Sequence, residues 1–319
     1  MILTVTPNPS LDRTYEIPDL ERGEVLRATG ERMDPGGKGV NVSRAVAAAG
    51  HRTVAVMPLG GAPGALVAEL LASEGIEVAP VRVAGATRSN IALAEPDGTL
   101  TKINAPGPLL TPPESRSLLA AVAVHSPSAS WIACCGSLPR GLEPSWYGEL
   151  VTRAHESGAR IALDTSGPSL LSALSGRPDV VKPNTDELAE AVGRPLATVG
   201  DAVKAAEELR SLGAGAVLAS LGADGQLLVS SAGTWFGSAS VDVERIRSNV
   251  GAGDASLAGF LAAGGHGPDA LVCAVAHGAA AVQLPGSVMP TPLDLDLAAV
   301  LVTADVPLDR VLTEHGSPR

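Results

Sequence analysis

The sequence predicts an α/β protein with a mainly parallel sheet covered by helices on both faces. Short apolar, strand-like runs alternate with helical runs along most of the chain, the pattern of βα units. The 36 glycines and 25 prolines are dispersed between those runs, marking turns rather than disorder. Apolar residues make up 45% of the chain but aromatics only 2%, so the core must be built from Ala, Val and Leu. A chain of 319 residues suffices for one large domain or two small ones.

The net charge of −11 argues against nucleic-acid binding, which requires a basic face. It does not exclude an anionic small substrate, because a few local cations outweigh a distant, diffuse charge. Three cysteines, two of them adjacent (Cys134 and Cys135), make neither a disulfide framework nor a zinc spacing. A reduced, cytoplasmic setting is expected. No basic leader precedes the first strand-like run, so no signal peptide is expected. No apolar run approaches the ~18 residues of a membrane span.

In chain order, residues 2–6 form a buried strand that breaks at Pro7-Asn8-Pro9. Asp12 follows where open α/β sheets bind ligands, and a turn-capping Asp is the other reading. Residues from about 15 to 31 are polar without helical period and suit strands projecting as a lid; Arg27 there is a solvated charge on composition alone. Asp34-Pro35-Gly36-Gly37-Lys38-Gly39-Val40-Asn41-Val42 leads three glycines into a helix with Val42, Val46 and Ala49 at helical spacing, stopped by Gly50. It is not a Walker A loop, because Gly39 follows Lys38 where Ser or Thr is required. Either it cradles an anion with Lys38 and Asn41 on the first helical turn, or it is a tight turn onto an ordinary helix.

Strands at 53–57 and 77–83 flank a helix at 65–73. The runs 87–93 and 99–104 flank Pro96-Asp97-Gly98, a hairpin signal. Alternation puts Arg88 and Asn90 on one face, and Lys102 shares a face with Asn104. Two such cations are either simply solvated or aimed over a pocket to bind phosphate. The strand at 130–135 breaks into Gly136-Ser137-Leu138-Pro139, where Ser137 closes a turn or donates to an anion. Helices at 145–156 and 201–212 alternate with strands at 160–163, 180–182 and 216–221. At Lys182-Pro183-Asn184-Thr185-Asp186-Glu187, Asn184 and Glu187 have capping-box spacing; the alternative has Glu187 acting through water on phosphate-bound Mg²⁺. Ser220-Leu221-Gly222-Ala223-Asp224-Gly225 ends a further strand in a turn suited to lining a nucleotide. His51, His125, His155, His266, His277 and His315 lack metal-ligand spacing and receive no role. Residues after about 312 are expected to fray.

The densest signal is Ser248-Asn249-Val250-Gly251-Ala252-Gly253-Asp254, which runs into an apolar helical segment ended by Gly264-Gly265. Small residues leave the first helical amides open, and those amides with the helix dipole favour an anion such as a transferring phosphoryl group. Asp254 then either caps the helix or takes a proton from an attacking hydroxyl.

With these pieces placed, nearly the whole chain resembles the ribokinase/PfkB carbohydrate kinase family. Gly36-Gly37-Lys38-Gly39-Val40-Asn41-Val42 and Gly251-Ala252-Gly253-Asp254 stand in that family's order and spacing, joined by Lys182-Pro183-Asn184…Glu187 and Ser220-Leu221-Gly222. Thr6-Pro7-Asn8-Pro9-Ser10-Leu11-Asp12, Thr87-Arg88-Ser89-Asn90 and Gly136-Ser137-Leu138-Pro139 point to its hexose-phosphate kinase branch. The resemblance implies a single three-layer αβα ribokinase-like domain over 1–319, with a small β-sheet lid from segments near 13–34 and 86–106. It also implies a homodimer through the lid. Asp254 is then the catalytic base and Gly251, Ala252 and Gly253 the anion hole. Asp12, Gly37, Asn41 and Asn90 fall to sugar binding. Lys38, Arg88, Lys102 and Ser137 fall to the substrate's existing phosphate, with Arg27 reaching in from the partner lid. Lys182, Asn184, Glu187, Ser220, Gly222, Gly225 and Ser248 fall to MgATP, with Glu187 meeting Mg²⁺ through water. Two departures stand out: Ser248-Asn249 replaces the Asp-Thr often found before the Gly-rich loop, weakening any monovalent-cation inference, and Cys135 replaces a common Ser.

The implied activity is ATP-dependent phosphorylation of a phosphorylated ketohexose, fructose 1-phosphate giving fructose 1,6-bisphosphate. Tagatose 6-phosphate and fructose 6-phosphate are the alternatives within the family. A sugar- or nucleotide-binding sensor without catalysis is the alternative of another class, against which the intact Asp254 speaks. A NAD-binding oxidoreductase is disfavoured, because no G-x-G-x-x-G follows the first strand.

Overall fold

The computed structural model describes residues 1–313; residues 314–319, which include His315 and most of the tail expected to fray, lie outside the described residues. Its strands in chain order are β1 (Ile2–Val5), β2 (Ser10–Glu16), β3 (Gly30–Gly36), β4 (Thr53–Leu59), β5 (Glu77–Arg82), β6 (Arg88–Ala94), β7 (Leu100–Ile103), β8 (Trp131–Cys135), β9 (Arg160–Asp164), β10 (Val180–Val181), β11 (Ala216–Ser220), β12 (Gln226–Ser230), β13 (Gly233–Ala239) and β14 (Val300–Thr303). Its helices are α1 (Lys38–Ala48), α2 (Gly61–Ser73), α3 (Pro112–His125), α4 (Trp146–Glu156), α5 (Gly167–Ala173), α6 (Thr185–Val192), α7 (Val199–Leu212), α8 (Ala252–Ala262) and α9 (Gly267–Ala281).

Every residue of β1, β4 and β8 is buried, as strands covered on both faces must be. They belong to a large sheet of order β14-β13-β12-β11-β10-β9-β8-β1-β4-β5. Pairing is parallel from β5 through to β11, and β12, β13 and β14 close that edge as an antiparallel meander. Strand alternation sends Leu3, Val5, Ile132, Cys134 and Ile161 to a core shared with α3, α4, α5 and α7. Ile2, Trp131, Ala133 and Cys135 face the other core, with α1, α8 and α9. The two adjacent cysteines therefore point to opposite faces of the sheet.

The loop after β1 enters a separate small sheet of order β3-β2-β6-β7, in which β6 and β7 form the expected hairpin. β3 extends through Asp34-Pro35-Gly36, a stretch that sequence alone leaves as loop: Gly36 sits opposite Ser10 and Pro35 opposite Leu11. A Cβ on Gly36 would collide with the Asp12 carboxylate, so glycine there leaves that carboxylate its place. Helices α3 and α9 also go beyond the sequence reading. α3 opens on a capping box between Thr111 and Glu114, and α9 is an Ala-rich helix lacking a sharp polar face. Among the described residues no helix is long and apolar enough to cross a membrane.

β1 is the strand from which the parallel sheet grows in both directions, towards β4 and β5 on one side and β8 to β11 on the other. Ligands in open α/β sheets bind beyond the C-terminal strand ends at such a switch point. Asn8, Gly136, Asp164, Lys182 and Ser220 all stand at those ends.

Candidate active site

Helix α8 is preceded by its N-cap Gly251, whose φ of 79° is left-handed, a conformation glycine adopts without strain. Its N-cap position makes no side-chain hydrogen bond, so the first-turn amides have no side-chain cap. Asp254 lies in that first turn and is 7% exposed. It does not cap the helix; its Oδ2 accepts instead from Asn41 Nδ2 at 2.8 Å, across from α1. Burial, reinforced by the negative charge of Asp164, raises the Asp254 carboxyl to about 7, against opposing pulls from Lys182, Asn41 and Lys38. A carboxyl poised near neutrality is suited to accepting a proton.

Asp164, the last residue of β9, joins the cluster although it belongs to none of the sequence motifs above. It is fully buried, with Oδ1 2.7 Å from Lys38 Nζ and Oδ2 2.9 Å from Lys182 Nζ. Lys38 Nζ also lies 3.2 Å from Glu187 Oε1. Burial disfavours the Lys38 charge, but Asp164 and Glu187 outweigh it and move its pKa upward. One carboxylate thus holds both lysines, and Lys182 Nζ lies beside the start of α8, 3.2 Å from where a Cβ on Gly253 would fall. The signal for Asp164 was available in the sequence: a carboxylate closing a buried apolar strand, Ile161-Ala162-Leu163, in a row of ligand-binding strand ends.

Asn184 and Glu187 form a complete capping box on α6, and Glu187 still reaches Lys38 with its other oxygen. Asn184 bridges to Ser220, and Thr185 Oγ1 donates to the Ser220 carbonyl at 3.3 Å. This brings Lys182, Asn184 and the turn carrying Gly222 and Gly225 onto adjacent strand ends.

A second group sits where the small sheet meets the large one. Asp12 Oδ1 accepts from Asn90 Nδ2 at 2.8 Å and from Ser10 Oγ at 2.6 Å. Asp12, Asn41, Asn90, Lys102 and Ser248 line one cleft. Ser248 thus stands with the candidate sugar residues, apart from the 220–225 turn. Arg88 donates to the carbonyls of Ala105 (2.9 Å) and Asn8 (3.0 Å), and Asn8 Nδ2 is 3.5 Å from Ser137 Oγ. Arg88 Nε is buried without a partner. Burial lowers the Arg88 pKa, against the pull of Asp12. Lys38 contacts Asp164 and Glu187 rather than this Arg88 group, and Gly37, the N-cap of α1, lies against Thr6 and Pro9. Arg27 is exposed and does not line the cleft of its own chain.

Helix-start amides without a side-chain cap, two lysines and a buried carboxyl gather at the C-terminal ends of an α/β sheet, an arrangement suited to phosphoryl transfer. Residues 7–293 match the pfkB family of carbohydrate kinases. The 1-phosphofructokinase of Rhodobacter capsulatus is 39% identical over 270 residues, covering 84% of this chain and 85% of the relative. The 1-phosphofructokinase of Haloferax volcanii is 38% identical over 294 residues, 91% of this chain and 93% of the relative. The crystal structure of phosphofructokinase-2 from Escherichia coli in complex with potassium superposes with a TM-score of 0.86 at 34% identity, covering 92% of this chain and 96% of that one. The chain belongs to the PfkB family of carbohydrate kinases and is a sugar kinase that uses ATP.

Proposed function

We propose that this kinase phosphorylates fructose 1-phosphate on its C6 hydroxyl, giving fructose 1,6-bisphosphate, with Asp254 as the base. The observation that carries this reading is the buried Asp254 carboxyl, held by Asn41 and poised near 7 at the start of α8. Asn41 orients the carboxylate, and Asp12 and Asn90 offer hydrogen-bonding groups for sugar hydroxyls in the same cleft. The amides of Gly251, Ala252 and Gly253 face the charge that grows on the transferring phosphoryl group. Lys38 and Lys182 add fixed positive charge beside it. The small sheet serves as a lid that excludes water, the competing acceptor, and packs against the lid of a second copy, where Arg27 reaches the partner's cleft.

Among the cluster's carboxylates, Asp164 is fully buried with both oxygens on lysines, whereas Glu187 is 16% exposed. Glu187 therefore suits a water-mediated contact to Mg²⁺ carried by the nucleotide phosphates, an ion that keeps several waters and neutralises phosphate charge when bound. Ser220, Gly222, Gly225, Lys182 and Asn184 make up the nucleotide side.

The Rhodobacter and Haloferax relatives support fructose 1-phosphate. The Escherichia coli relative, an ATP-dependent 6-phosphofructokinase, keeps fructose 6-phosphate as a second reading. An ADP-release assay across hexose phosphates, with neutral sugars as controls, separates them: the highest kcat/KM is expected for fructose 1-phosphate. Asp254→Asn should lower kcat by roughly 10²–10⁴-fold with little change in either KM. Near-normal turnover in that variant sinks the mechanism.

A further inference from the structure

The last described stretch of chain does not end loosely; it crosses the start of α7 and returns to the 220–225 turn. The Gly200 amide donates to the Leu308 carbonyl, the Val199 amide to Arg310 and the Leu312 amide to Ala197, each at 2.9 Å. Leu312 is 7% exposed and packs into the core between the sheet and α7. From this anchor the Thr313 amide donates to Asp224 Oδ2 at 2.7 Å, and Thr313 Oγ1 lies 3.2 Å from Asp224 Oδ1. Arg310 Nη1 reaches the Asp224 carbonyl at 3.5 Å, and its guanidinium stacks over the Phe236 ring at 5.2 Å. The tip of that ring lies 3.0 Å from where a Cβ on Gly225 would fall.

The turn needs such support. Gly222 and Gly225 both have positive φ, at 61° and 125°, and glycine loses more conformational freedom on ordering than any other residue. Within the turn only Leu221, Asp224 and Gly225 amides make local bonds.

We infer that residues 308–313 form a strap that fixes the nucleotide-lining turn, with Arg310 and Thr313 as positioning residues for ATP binding. The inference rests on the reading of the 220–225 turn as nucleotide-lining. The strap orders the turn before ATP arrives, so ATP binding does not bear that cost. Neither residue needs to touch the nucleotide.

The test measures KM for ATP, KM for the sugar phosphate, kcat and thermal midpoint in Arg310→Ala/Thr313→Val, a pair that leaves Leu312 in place. KM for ATP should rise roughly three- to tenfold, on the scale of one hydrogen bond's net contribution. The sugar-phosphate KM and kcat at saturating ATP should hold. Asp224→Ala should reproduce the rise, and Asp224→Asn, which still accepts from the Thr313 amide, should stay near wild type. Gly222→Val probes the turn itself and should also raise KM for ATP. If Gly222→Val raises it while both the double variant and Asp224→Ala, which removes the acceptor of the Thr313 amide, leave it unchanged, the strap inference falls. If neither variant moves it, the nucleotide reading of the turn fails, and the inference with it.

Discussion

Asp164 and Lys182 form an ion pair at 2.9 Å in which the carboxylate is 0% and the lysine side chain 6% exposed. Lys38 takes the other Asp164 oxygen, so one carboxylate holds two lysines. Removing one partner of a buried pair leaves an uncompensated charge, at a cost of about 3–5 kcal/mol. Asp164→Asn should therefore lower the thermal midpoint. It should also shift the kcat/KM pH profile to lower pH, because Asp164 helps to raise Asp254 while Lys38, Lys182 and Asn41 lower it. The charged or titratable groups around Asp254 include Asp164 on β9, Lys182 after β10 and Lys38 on α1, with Cys135 on β8 close enough to feel its charge. An unshifted profile in a folded Asp164→Asn enzyme contradicts this coupling.

Asp254 itself makes stability depend on pH. Its folded value of about 7 lies above the ordinary 3.8. Between those values the unfolded chain has released the proton that the folded chain still holds. Folding stability therefore falls as pH rises through that window, and the loss persists above it. Asparagine carries no charge to desolvate, so Asp254→Asn should melt at a higher temperature than wild type at pH 8. Near pH 4 the two should converge. Wild-type kcat/KM should rise with pH through about 7, as the base loses its proton. A lower midpoint for the Asn variant at pH 8 contradicts the assignment.

The fold was legible where chemistry repeats at short range. The apolar runs of β1, β4, β8 and β9, the hairpin at Pro96-Asp97-Gly98 and the Asn184–Glu187 capping box each follow from a local pattern. Much of the site was legible for the same reason: Lys38, Asn41 and Asp254 sit in the first turns of helices announced by glycines. What sequence left dark depends on distance. Asp164 closes a buried strand, which is a local hint, but its pairing with Lys38, 126 residues away, exists only when β9 ends beside α1. β3 absorbs Asp34-Pro35-Gly36 because β2 lies beside it, not because those residues favour a strand. The strap from 308 to 313 carries no periodic signal at all.

Glu187 offers a separable test, since its two oxygens have different partners. Oε2 accepts from the Asn184 amide at 3.0 Å and Oε1 from Lys38 at 3.2 Å. Glu187→Gln keeps an acceptor for the cap, so the thermal midpoint should change little. It removes the charge that would meet a hydrated cation. The Mg²⁺ concentration for half-maximal activity should therefore rise, and an unaltered Mg²⁺ titration limits Glu187 to capping α6 and holding Lys38.

Two cations in the small sheet are proposed to recognise the substrate's existing phosphate, and of the two Arg88 alone has a second duty among the described residues. Arg88 already donates to the Ala105 and Asn8 carbonyls, so Arg88→Ala should both raise the sugar-phosphate KM and lower stability, by about 1–3 kcal/mol for acceptors left unpaired. Lys102 is exposed on β7 beside the cleft and makes no ion pair among the described residues. Its loss leaves nothing unsatisfied, so Lys102→Ala should keep the wild-type thermal midpoint. Its effect should fall on the anion alone: the sugar-phosphate KM rises roughly tenfold, on the scale of one charge-assisted hydrogen bond, while the ATP KM holds. Activity on a neutral hexose should be unmoved by the same change, because no charge is then recognised. Equal losses for neutral and phosphorylated sugars would show that Lys102 shapes the cleft without reading the phosphate.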